Sequence, residues 1–73
     1  MGKYKIEDFA IGDTVYHLSN TLIMMVVIDR YMHINEVECR WLTKSGEKQI
    51  DTFLAEELGK KDDLRPKIRQ ISI

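Results

Sequence analysis

The sequence predicts an all-β fold: four to five short antiparallel strands and one short helical turn. Three observations carry that expectation. Val37, Cys39 and Trp41 alternate with Glu38 and Arg40, the period of two that marks a half-buried strand. Just upstream, residues 22–28 are apolar throughout, and the four β-branched residues Ile23, Val26, Val27 and Ile28 favour a strand over a buried helix. Gly12-Asp13 and Ser45-Gly46 then supply turn residues at strand-length spacing.

Taken in order, residues 3–11 approach the first strand with Ile6, Phe9 and Ile11 as apolar anchors. Gly12-Asp13 launches a strand over 14–18, and the polar Ser19-Asn20-Thr21 reads as a loop. The apolar run 22–28 forms the second strand, and residues 31–35 are its hairpin loop. A third strand covers 36–43, Lys44-Ser45-Gly46-Glu47 turns, and a fourth covers 48–53. Residues 54–58 are good helix formers for a single turn, with Gly59 as its C-cap. Residues 60–63 read as a charged linker. Pro66 marks the edge of a last element, and 67–73 reads as either a closing strand or a tail. Strands this short in so small a chain point to an SH3-like, partly open barrel, because curling the sheet removes most exposed edges.

Composition permits one domain over 1–73, with a core at 9–58 and a basic segment at 60–73. At 73 residues the chain buries only about 60% of the surface its unfolded form exposes. Its 44% apolar content makes a packed core feasible, and one cysteine forms no internal disulfide. An N-terminal secretory pattern is lacking, and the longest apolar run is far below the roughly 20 residues of a membrane span. A cytoplasmic protein without membrane contact is expected. Residues 1–59 hold six Lys/Arg against ten Asp/Glu, whereas 60–73 hold five against two, so the net charge of −1 is unevenly spread.

The residues Phe9-x-x-Gly12-Asp13-x-Val15-x-x-Leu18-Ser19, Met24-x-Val26, Val37-x-Cys39-x-Trp41, Phe53 and Leu58 resemble the YodC-like family of small uncharacterised bacterial proteins. The resemblance covers residues 9–58 and implies a small SH3-like barrel with no established activity. Two departures stand out. Asn20-Thr21-Leu22 occupies the place of a Gly-Gly-Pro turn, and Leu42 that of a second aromatic.

Catalytic chemistry is not expected. Cys39 shares a face with Val37 and Trp41, which points to an inert packing role. His17, His33 and Cys39 lack metal-ligand spacing, and neither a P-loop nor a dinucleotide fingerprint is present, so no metal or cofactor is expected. Trp41, Tyr16, Tyr31 and Phe53 could frame an aromatic cage, but a small core needs Trp41 and Phe53 more. The favoured function is a non-enzymatic protein-interaction module, binding an unidentified protein or itself. Its surface is expected at Ile23, Met25, Val27, Tyr31 and Met32, on the second apolar face of the 22–28 strand, unless Ile6 and Phe9 or Ile71 and Ile73 cover that face. The alternative is a nucleic-acid-associated barrel contacting phosphate through Arg40, Arg65, Lys67 and Arg69.

Overall fold

The computed structural model describes residues 3–64. Its strands are β1 (Thr14–His17), β2 (Asn20–Tyr31), β3 (Glu36–Leu42), β4 (Lys48–Leu54) and β5 (Leu58–Lys60). All pair antiparallel in one sheet of order β4-β3-β2-β1-β5. The helical elements among the described residues are single 3₁₀ turns at Ile6–Asp8, Met32–Ile34, Ala55–Glu57 and Lys61–Leu64. β4 and β5 do not pair, so the barrel is partly open. The meander, with a 3₁₀ turn before a last strand that returns to β1, is the SH3-like arrangement. The expected closing strand over 67–73 lies outside the described residues.

Local chemistry explains most junctions. Gly12 takes φ 97°, and its N–H donates to the Val27 carbonyl at 2.8 Å, while the Val27 N–H donates to the Asp13 carbonyl at 2.9 Å. Asp13 also accepts the Ala10 N–H, so this Gly-Asp pair locks the approach segment onto β2. Gly46 at φ 90° closes the β3–β4 turn, and Asn35 at φ 59° ends the Met32–Ile34 turn. The Ala55–Glu57 turn is held from both sides. Ala55 N–H donates to the Asn35 carbonyl, and Leu18 N–H donates to the Glu57 carbonyl.

The first hairpin departs from the expected loop at 19–21. His17 pairs directly with Asn20 across a two-residue turn, Leu18-Ser19, and neither residue has positive φ. The turns whose twist matches a hairpin need positive φ; others splay the strands. Here the strands do splay. The next pair in register is Val15 with Met25, so Tyr16 alone faces the four-residue arc from Thr21 to Met24. A second irregularity between Val27 and Asp29 leaves Ile28 as an extra residue, a bulge of the kind that bends a strand and strengthens its twist. β2 is thereby passed from β1, which it pairs first, to β3.

Register also decides which face of β2 is inside. Met25 sits opposite the fully buried Val15, and Val27 opposite the fully buried Cys39. Residues directly opposed in an antiparallel pair share a face, so Met25 and Val27 point inward and are 2% and 1% exposed. Ile6 and Phe9 pack in the same core with Val37, Ala55 and Leu58. This corrects the expectation that Met25 and Val27 form an outer binding surface and agrees with the other expectation, that Ile6 and Phe9 cover that face within the chain. Half-buried Met24, Val26 and Ile28 occupy the convex side instead.

Gly59 is likewise no helix cap. It lies in β5 opposite Tyr16, whose ring crosses it so closely that a Cβ there would stand 2.5 Å from the ring carbon Cζ. Residues 60–63 are no linker either. Lys60 ends β5, and Asp63 accepts its N–H at 3.1 Å and the Tyr4 hydroxyl at 2.8 Å. Gly59→Ala is expected to cost about 1–3 kcal/mol by overpacking, read as a lower urea midpoint. In a Tyr16→Ala background the same change is expected to be neutral or stabilising, because the ring it strikes is gone.

Candidate functional site

The splayed hairpin leaves a cleft. The β2–β3 ladder begins at Val26 opposite Arg40, so Trp41 and Leu42 pair with β4 on one side and have no β2 partner on the other. Between them and the arc from Asn20 to Met24 lies a depression of about 510 Å³, within the roughly 300–1,000 Å³ of ligand-sized clefts. Leu22 is 90% exposed on one wall and Leu42 66% on the other. At its inner end a narrower pocket of about 100 Å³ is lined by His17, Ile23, Met25, Trp41 and Phe53. Trp41 therefore lines both, its ring 6.2 Å from that of Phe53, which in turn lies 5.4 Å from the His17 ring.

The charge lining the outer cleft is that of Lys44, beside the neutral Asn20 and Thr43. His17 is fastened within its own hairpin. Its Nδ1 accepts the Ser19 N–H at 3.1 Å and lies 2.7 Å from the Ser19 hydroxyl, which leaves Nε2 to carry the proton on the side of Glu57, 3.9 Å away. The arrangement suits apolar contact with a cation at the rim.

The expected surface residues do not form one surface. Ile23 lines the cleft, while Met25 and Val27 are in the core. Tyr31 lies at the far end of β2, where its hydroxyl donates to Glu38; that hydrogen bond, with burial, pushes its pKa up to about 12. Met32 is exposed in the turn beyond it. Of the expected phosphate contacts, Arg40 is exposed between Val26 and Ile50, and Arg65, Lys67 and Arg69 lie outside the described residues. Trp41 and Phe53 are neighbours, but Tyr16 covers Gly59 and Tyr31 is engaged by Glu38, so these four side chains frame no common cage.

Cys39 is fully buried, and burial, with the Glu38 charge adding, pushes its thiol up to about 12. A thiol in that state supplies almost no thiolate near neutrality. Among the described residues no three His, Cys, Asp or Glu side chains converge as a metal site, and no helix is long and apolar enough to cross a membrane.

Leu22, Met24, Trp41, Leu42 and Lys44 were not singled out as surface from sequence. Two signals pointed there: the departure at residues 20–22 from a turn-forming sequence, and Leu42 extending an apolar pair beyond the alternation of β3. No family model matches the chain, and neither a curated protein nor a solved structure matches it.

Proposed function

We propose that the protein is a non-enzymatic, cytoplasmic interaction module that takes an apolar segment of a partner protein into the cleft between its first hairpin and β3. The observation that carries this reading is the pair Leu22 and Leu42, exposed at a cleft that Trp41 also lines. Contiguous exposed apolar side chains of this kind mark partner sites, and aromatic anchors dominate such contacts. Lys44 favours a segment with an acidic residue beside its apolar ones. The resemblance to the YodC-like family belongs to the same proposal; the strand order agrees with the small barrel it implies.

Selection of displayed peptides against the folded protein tests this, with affinities read from the fluorescence of the single tryptophan, Trp41. The expected outcome is enrichment of apolar peptides carrying an acidic residue, bound at least about tenfold more weakly by Leu42→Asp. Because Leu42 is exposed, that variant should keep its stability to within about 0.5 kcal/mol. Absence of enrichment, or equal binding by Leu42→Asp, would end the proposal.

A further inference from the structure

β4 is an open edge of unusual regularity for this sheet. All seven of its residues pair with β3 without a bulge, from Leu42 opposite Lys48 to Glu36 opposite Leu54, and its other side has no strand partner among the described residues. Apart from Phe53, every residue of β4 is exposed, including Ile50 at 48%. The opposite edge, β5, is only three residues long and runs straight into a 3₁₀ turn, a shape that discourages strand addition. β4 is longer, contains no proline and has no bulge; the charges it carries against strand addition are Lys48 and, on the concave side, Asp51.

From this edge we infer that the protein forms a twofold homodimer by antiparallel β4–β4 pairing, with Ile50 of each copy at the dyad. A twofold axis normal to the sheet places like faces together, so facing residues must belong to the same side of the strand. Centred on Ile50, the pairing sets Ile50 against Ile50 on the convex side, flanked by Lys48 against Thr52. On the concave side Gln49 faces Asp51 twice, an amide donor against a carboxylate acceptor. Neighbouring registers are worse. Centring on Asp51 opposes two carboxylates, centring on Gln49 sets Glu47 against Asp51, and centring on Thr52 replaces both Gln49–Asp51 pairs by Asp51 against Phe53, whereas the Ile50 register leaves Glu47, just outside the strand, opposite Phe53. Like charges directly opposed destabilise a strand pair, so side-chain complementarity selects both the occupant and the register. The pairing would also satisfy outward backbone groups of β4, the source of affinity when a strand is added to an edge.

Sedimentation over a concentration series, combined with oxidative cross-linking, tests the inference. The wild type is expected to double in mass as concentration rises into the high micromolar range. Ile50→Lys, which places two ammonium groups at the dyad, should remain monomeric with an unchanged urea midpoint. Ile50→Cys should oxidise to a disulfide-linked dimer, whereas Lys48→Cys, whose two copies are offset across the dyad, should not. A monomer at high micromolar concentration overturns the inference, whether β4 stays open or another part of the chain takes the edge. So does a dimer that survives Ile50→Lys, or equal cross-linking from positions 48 and 50. The cleft and the β4 edge carry different residues, so either result leaves the peptide selection to be judged by itself.

Discussion

Phe9→Ala is expected to remove about 3–5 kcal/mol of stability, the usual loss for truncating a buried phenylalanine. A chain of 73 residues has only about 4–10 kcal/mol in total, so the substitution should remove about a third or more of the stability and lower the urea midpoint steeply. Phe9 is fully buried, and it is the bulkiest of the fully buried side chains. It meets the Tyr4 ring edge-on at 5.6 Å, and the Lys60 ammonium lies 5.6 Å from its ring centre. Its carbonyl accepts a 2.7 Å hydrogen bond from the Arg30 guanidinium, which ties the approach segment to β2. Truncation would open a cavity beneath a segment whose other core contacts are Ile6 and the half-buried Tyr4. The measurement is a urea titration followed by circular dichroism, with Phe9→Leu as a partner variant expected to lose markedly less. Equal midpoints for wild type and Phe9→Ala would show that Phe9 does not seal the core.

Alkaline pH is expected to destabilise the protein through Cys39. In the folded state the buried thiol keeps its proton up to about pH 12, against an ordinary value of 9.0. Above pH 9 the unfolded chain releases this proton while the folded chain holds it, so rising pH favours unfolding. The contribution is fully present below the unfolded value and is lost as pH climbs toward the folded one. Its slope is about 1.4 kcal/mol per pH unit, approaching about 4 kcal/mol over the window. Tyr31 is also pushed up and contributes in the same direction, so the informative quantity is the difference between wild type and Cys39→Ala. Stability measured from pH 8 to 11 should fall more steeply for the wild type. Parallel curves would mean that the thiol ionises without resistance from the fold.

Much of the sheet was legible because its chemistry is local. Val37 and Cys39 alternate with charged residues and are fully buried; Gly12 and Gly46 stand where positive φ is needed. The helical turn near residues 54–58 was visible in its helix formers and appears as Ala55–Glu57. What failed depended on distant partners. Residues 22–28 are apolar on both faces, so nothing within them says which side is inside; Val15, Cys39 and the overlying Phe9 decide it. Gly59 after a run of helix formers looks like a cap, and only the β1–β5 pairing shows that it makes room for Tyr16. The cleft was hidden for a similar reason. Leu42 looks like a continuing strand residue until the β2–β3 ladder is seen to begin at Val26.

The hydrogen bond from Tyr4 to Asp63 joins residues 59 positions apart, and the Lys3 ammonium lies 3.2 Å from the same carboxylate. It thereby encloses the whole sheet in a single loop. Closing such a loop has an entropic cost that grows with its length, whereas the hairpins joining β1 to β2 and β3 to β4 close over a few residues. The order of assembly is expected to follow that difference, with the β2–β3–β4 meander forming early and β5 docking on β1 at the end. Asp63 then acts as a latch, closing only once the strands between it and Tyr4 are in place.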